Sequence, residues 1–142
     1  MNLESQWITG FVDGEGCFHV QILVSSSLRA GFQVLPEFVV SQHKRNVQVL
    51  QSLKTYFSTG VVRAESSRKD ETGRQYRVRN TSDLRSIIIP FFEKHPLKTT
   101  KRIDFLKFRY ILTLMERGVH LTPEGVAKIR KIRDTMNSKR LR

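Results

Sequence analysis

Cysteine is nearly absent from this chain of 142 residues: Cys17 stands alone. An internal disulfide is therefore excluded, as is any zinc site built from paired cysteines, which needs several thiols at short spacing. Long apolar runs are missing too, with none approaching the roughly 20 residues that a membrane span requires. The start, Met1-Asn2-Leu3-Glu4-Ser5-Gln6-Trp7, has neither the basic opening nor the apolar stretch of a secretory signal, and no transit peptide is visible in it. No membrane is expected. Acidic side chains are scarce as well. Against 13 Asp and Glu there are 25 Lys and Arg, a formal net charge of +12. Positive potential of that size attracts polyanions through counterion release, which puts nucleic acid first among partner classes. The excess is uneven, since residues 94–142 hold fourteen Lys and Arg but four Asp and Glu. The second half is expected to lie against phosphate.

What is present, 39% apolar and 27% charged residues, fits one soluble globular domain over residues 1–142. Apolar residues at 3, 7, 8, 11 and 12 follow helical spacing, and Gly14-Glu15-Gly16 predicts a stop, giving a helix over 3–13. Residues 17–24 and 32–41 alternate with period two around a polar turn and predict a hairpin. Val47, Leu50, Leu53 and Phe57 predict a helix over 44–58, ended by Gly60. A second hairpin, 61–65 with 75–80, is joined by a charged linker. Three helices complete the order: 83–92 capped by Thr81-Ser82, then 99–117 with Ile103, Leu106, Phe108, Tyr110, Ile111 and Leu114 available for burial, then 122–137 opened by Thr122-Pro123. There is no internal duplication.

The segment Ile8-Thr9-Gly10-Phe11-Val12-Asp13-Gly14-Glu15-Gly16-Cys17-Phe18 resembles, nearly position for position, the motif of the LAGLIDADG homing endonucleases, with Glu15 in place of its second Asp. Val40-Ser41-Gln42, Pro96-Leu97-Lys98-Thr99-Thr100-Lys101 and Met136-Asn137 are similar to further family signatures, so the resemblance covers essentially the whole chain. It implies an α+β fold of α-β-β-α-β-β-α type with an antiparallel β-saddle plus a C-terminal helix. The activity it implies is site-specific cleavage of both strands of double-stranded DNA at a long, partly palindromic target, with no small-molecule substrate. It further implies Glu15 as catalytic metal ligand, the carbonyl of Gly14 as a second ligand, Gln42 aligning water and Lys98 stabilising charge on the attacked phosphate. The metal would be Mg²⁺, with Mn²⁺ as substitute and Ca²⁺ binding without supporting cleavage. Asp13 is expected to be structural.

The residues make physical sense of that motif. Gly10 and Gly14 lie four apart on one helix face and, lacking Cβ, let a second helix approach closely. One motif per chain and two strands to cut imply a homodimer, with Ile8, Gly10, Phe11 and Gly14 at the interface. At the helix end a carboxylate and a free carbonyl offer hard oxygen ligands of the kind Mg²⁺ takes.

Parity separates two faces on the hairpins. Phe32, Val34, Phe38, Val40, Tyr76 and Val78 should point to the helices. The opposite face should carry His19, Gln21, Leu23 and Ser25, then Gln33, Leu35, Glu37, Val39 and Ser41, then Arg63, Glu65, Gln75, Arg77 and Arg79. Side chains of these types on β-ribbons suit a major groove, Arg matching guanine, Gln adenine, and exposed aliphatics the thymine methyl. Arg68, Lys69 and Arg74 in the linker, with Lys139 and Arg140 near the end, are expected to meet phosphates. His19, His43, His95 and His120 show no paired-ligand spacing, no acidic residue is followed two positions later by Lys, and no G-x-x-x-x-G-K-[ST] segment occurs. These absences argue against a histidine-centred nuclease, an acidic-x-Lys nuclease core and nucleotide hydrolysis. The alternative left open is an RNA-binding intron maturase or a non-cleaving DNA-binding protein on the same fold. The expected location is an organelle, chloroplast or mitochondrion, in which the protein is encoded and made, with bacterial cytoplasm as the alternative.

Overall fold

The computed structural model describes residues 1–137. Helix α1 (Ser5–Glu15) runs directly into strand β1 (Gly16–Val24), which turns back as β2 (Phe32–His43). A 3₁₀ turn (Lys44–Asn46) leads to α2 (Val47–Phe57), and β3 (Val61–Ala64) and β4 (Gly73–Val78) form the second hairpin. The sheet order is β1-β2-β4-β3, antiparallel throughout. The chain is α+β, and the order read from its periodicities is the order found.

Several boundaries move. α1 continues through Glu15 rather than stopping at Asp13, and Gly16 is the point where helix becomes strand. A Cβ at Gly16 would lie 2.7 Å from Val12 Cγ1 and 3.0 Å from its carbonyl oxygen, so only glycine permits so abrupt an exit. The second hairpin is displaced, which puts Arg74 inside β4 and Arg79 just past it. The single short helix expected over 83–92 is a longer helical stretch: α3 (Thr81–Asp83), a π turn (Leu84–Ile88) and α4 (Ile89–Lys94). Its cap is the side chain of Asn80, which accepts from the Asp83 amide at 3.0 Å, not Thr81-Ser82. The widened turn precedes Pro90, which has no amide to donate and whose ring would strike the carbonyl four residues back in a regular helix.

Helix α5 (Lys101–Glu116), a 3₁₀ turn (Val119–Leu121) and α6 (Pro123–Arg133) complete the described chain. The Thr122 hydroxyl caps α6 by accepting from the Gly125 amide at 3.0 Å. α6 ends four residues before the expected boundary. Met136 is nonetheless buried, and Asn137 is tied back to the core: its side chain donates to the Phe18 carbonyl at 3.1 Å and its amide to Asp104 Oδ1 at 2.9 Å.

The core lies between the helices and one face of the sheet. Phe18 on β1 is its centre, with ring centroids of Phe38, Phe92, Phe105 and Phe108 all 5.2–5.5 Å away. Complete burial of such a ring contributes about 1.5–3 kcal/mol, and the edge-on arrangements add to it. Phe38, Val34, Val40, Tyr76 and Val78 face this core as parity requires. On α5 the expected burial holds for Phe108, Ile111 and Leu114 but not for Ile103, Leu106 and Tyr110, which lie on the helix's solvent side. Among the described residues no helix is long and apolar enough to cross a membrane.

Candidate active site and nucleic-acid face

The C-terminal tip of α1 collects the groups that the motif singled out. Gly14 and Glu15 are exposed there, and no basic residue lies in the last turn. A carboxylate at the negative end of a helix dipole, beside carbonyls without intrahelical partners, is destabilising unless a cation sits against it. One cation is supplied from far along the chain: Lys101 Nζ donates to the Val12 carbonyl at 3.2 Å. Nothing in residue spacing singles out this lysine, since its reach to residue 12 exists only once the loop before α5 is folded.

Asp13 fixes that loop. Its Oδ2 accepts from the Lys98 amide at 2.8 Å, and its Oδ1 accepts from the Thr99 amide at 3.1 Å and the Thr99 hydroxyl at 2.6 Å. Partial burial pushes the Asp13 carboxyl up, but these three hydrogen bonds and the Lys101 ammonium outweigh it and hold the group below its ordinary value of 3.8. The structural role expected for Asp13 is the one it has. Because the folded pKa is depressed, the stabilisation is complete above the unfolded aspartate's pKa and is lost as pH falls through the folded value. Melting temperature should therefore drop as pH is lowered below about 4, and Asp13→Asn should lower it at neutral pH while flattening that acid slope. A thermal-melt series from pH 2 to 7 checks both; an unchanged slope would remove Asp13 from this role.

Lys98 is exposed and reaches the tip through its backbone amide, whereas Lys101 does so through its ammonium. Gln42 lies two residues beyond the partner of Gly16 on β2, where its Oε1 accepts from Asn46 Nδ2 at 3.1 Å. Parity puts it on the side of Val40, opposite Arg74. Among the described residues there is no group of three or more His, Cys, Asp or Glu able to hold a metal. One chain thus offers the Glu15 carboxylate and the Gly14 carbonyl, hard oxygens of the right kind but a partial set.

On α1 the exposed side is not quite the expected one. Ile8 is fully buried in the core of its own chain and is unavailable to a partner. Phe11 is half-buried and stacks on Trp7 at 4.9 Å, and Trp7, absent from the expected set, is 46% exposed. A Cβ built at Gly10 or Gly14 meets nothing within 4 Å, so their flat side is open. Leu3 and Phe11 pack on the core from the flank of this face.

The outer sheet face carries most of the expected residues. Leu23, Gln33, Arg63, Glu65, Arg68, Lys69 and Arg79 are exposed; His19, Gln21, Ser25, Leu35, Ser41, Gln75 and Arg77 are half-buried. Two differ. Val39 is only 9% exposed and Glu37 only 8%, although both are on the outer face by register, because neighbours on the flanking strands close over them. Arg74 also departs from the expectation of a linker residue, its Nη1 donating to the Gly73 and Glu71 carbonyls at 2.8 and 3.3 Å. Lys139 and Arg140 lie outside the described residues. Partial burial, with Arg79 and Arg63 close by, pushes the Arg77 guanidinium pKa down. Crowded cations on an open face are relieved by an approaching polyanion.

An acidic helix tip beside an open, cation-rich antiparallel sheet defines an α+β protein suited to meet a nucleic-acid backbone. Residues 8–112 match the family model for LAGLIDADG endonuclease, and the chain belongs to that family. It is 34% identical over 136 residues to "Probable intron-encoded endonuclease 2" of Neurospora crassa, covering 95% of this chain and 29% of that protein. The chain spans between 23% and 29% of the length of the first curated relatives it matches. Among solved structures, the homing endonuclease I-TnaI superposes with a TM-score of 0.90 at 50% identity, covering 96% of this chain and 90% of that one. The I-SmaMI LAGLIDADG homing endonuclease bound to cleaved DNA superposes with a TM-score of 0.89 at 34% identity, covering 96% of this chain but 45% of that one.

Proposed function

We propose that this chain is a site-specific DNA endonuclease that cuts both strands of a long, partly palindromic target as a homodimer, with a divalent metal ion held at the tip of α1. The observation that carries it is the exposed Glu15 carboxylate at a helix C-terminus with no basic residue in the last turn, on a chain of net charge +12. An anion kept where the helix dipole disfavours it has a use for a cation. The relatives add weight: a chain 50% identical and of similar length is a homing endonuclease, and one 34% identical is a homing endonuclease bound to cleaved DNA.

In this reading Glu15 and the Gly14 carbonyl would hold Mg²⁺, with Mn²⁺ as substitute, while Ca²⁺ would bind without supporting cleavage. When bound, such an ion polarises a phosphoryl oxygen and makes coordinated water more acidic. Two chains meeting through the open Gly10 and Gly14 side of α1, flanked by Trp7 and Phe11, would set two such tips side by side, one for each strand. Residues 1–142 would act as one domain in each half. Gln42 would orient water at the attacked phosphate. Lys101 would stabilise charge developing on that phosphate, its ammonium already lying against the tip, and Lys98 would add a second positive charge from the loop. Gln33, Gln75, Arg63, Arg77 and Leu23 would meet base edges, while Arg68 and Lys69, and Lys139 and Arg140 further on, would meet phosphates. The intron-derived names of the relatives support an organelle as the place where the protein is made and acts.

Incubation with Mg²⁺ and a library of partly palindromic duplexes, followed by sequencing of the ends, tests the reading. The expected result is paired cuts within a site about two helical turns long, lost on chelation; absence of cleavage with any divalent metal would overturn it. On the selected site Lys101→Met should lower the single-turnover rate roughly a hundredfold or more, and Lys98→Met should lower it less. The reverse order would return the charge-stabilising role to Lys98.

A further inference from the structure

Glu37 was expected among the base readers, but it is the least suited of them to touch DNA. It lies in the middle of the outer face with its side chain 11% exposed, and a bare carboxylate there would repel an approaching backbone. It is not bare. Its Oε2 accepts from Arg79 Nε at 2.7 Å, and its Oε1 is 3.2 Å from His19 Nδ1. The three residues form one row across the sheet: His19 is the register partner of Glu37, and Arg79 follows Val78, the partner of Phe38. Gln21 Oε1 lies 3.5 Å from Arg79 Nη2 at the row's edge.

The geometry sets what each outer group can offer. With Nε committed to Glu37 and Nη2 in long contact with Gln21 Oε1, the guanidinium plane of Arg79 is fixed and its two terminal nitrogens form the outer edge, the fork that fits O6 and N7 of guanine. With Nδ1 turned to the carboxylate, His19 presents Nε2 on the outer side, where an uncharged ring offers an acceptor suited to an exocyclic amine of adenine or cytosine. His19 and Arg79 remain 39% and 42% exposed while the carboxylate between them is covered.

We propose that Glu37 is a positioning residue for base recognition: it makes no base contact of its own, and holds Arg79 to read one guanine per half-site and His19 to read a neighbouring pair. The inference rests on the DNA-cleaving reading above and refines it. Arg79 without this brace keeps its planar fork but loses its fixed aim, which suits phosphate but is poor at telling guanine from adenine. Glu37 thereby converts a cation into a reader.

The test compares wild-type protein, Glu37→Gln and Arg79→Lys on one library of duplexes randomised across the site selected by the wild type, with cut and uncut pools sequenced. If the wild type selects no site, the endonuclease reading fails and the role of Glu37 as a positioning residue falls with it. Given a site, Arg79→Lys should relax a guanine preference at one pair in each half by about tenfold or more. Glu37→Gln should relax the same pair and the adjacent one, leaving the preference at distant pairs unchanged. Three results would overturn the proposal: an unchanged profile for Glu37→Gln beside a relaxed one for Arg79→Lys, unchanged profiles for both, or a uniform loss at every position accompanied by a lower melting temperature. The last would mark Glu37 as structural only. If Glu37→Gln does not fold, Arg79→Lys and His19→Phe carry the test, since each must relax its own, adjacent pair.

Discussion

Glu15→Gln should abolish strand cleavage, lowering the rate at least about a thousandfold, while binding to the same duplex is kept. The carboxamide preserves shape and removes the charge that a metal requires. Two accompanying changes have signs opposite to those of ordinary damage. DNA binding measured without metal should be retained or strengthened, because one negative charge beside two phosphates is gone. The melting temperature should rise rather than fall, because an exposed anion has been removed from the negative end of α1, which the Lys101 ammonium on the Val12 carbonyl offsets in part. Loss of activity with a gain in stability separates a functional carboxylate from a structural one. A variant that still cuts at the wild-type rate with Mg²⁺ would remove Glu15 from the chemistry.

The second large effect is expected at Gly10. Its Cβ position is open within one chain, and glycine inside a helix costs roughly 0.5–1 kcal/mol relative to alanine, so Gly10→Leu should leave the fold of the single chain intact or slightly more stable. In a pair of α1 helices the same leucine is brought to the symmetry axis twice, once by each copy. Overpacking of about 1–3 kcal/mol per copy should weaken pairing at least about thirtyfold. The expected outcome is a well-folded protein by circular dichroism that sediments as a monomer and nicks or fails to cut its target. Retained dimers with full double-strand cleavage would show that α1 does not mediate pairing.

Much of the fold was legible in the sequence, for reasons tied to individual residues. Phe18, Phe38, Val40, Tyr76 and Val78 are spaced by two, and that period alone assigns them to the core face. The motif from Ile8 to Phe18 located the helix tip through its resemblance to the family's, since carboxylates at a helix end are by themselves usually a solvated turn. What escaped depends on tertiary closure. α5 has apolar residues on nearly every side, so spacing could not say that Ile103, Leu106 and Tyr110 would face solvent while Phe108 and Ile111 would not. Ile8 was assigned to a partner because it belongs to the motif, yet the sheet of its own chain buries it. The contact of Lys101 with the helix tip is beyond any reading by spacing, because it spans 89 residues and is made by the loop that Asp13 holds. Parity puts Glu37 on its face correctly, but the groups that close over it are His19 on β1 and Arg79 just past β4, which no single-strand pattern reports.

Everything proposed for catalysis requires two α1 tips beside the two scissile phosphates. The most direct measurement is the mass, by native mass spectrometry or sedimentation, of the Glu15→Gln protein bound to its selected duplex. The account predicts two chains per duplex, whereas a stable complex holding one chain per duplex, with the wild type still cutting both strands, would contradict it.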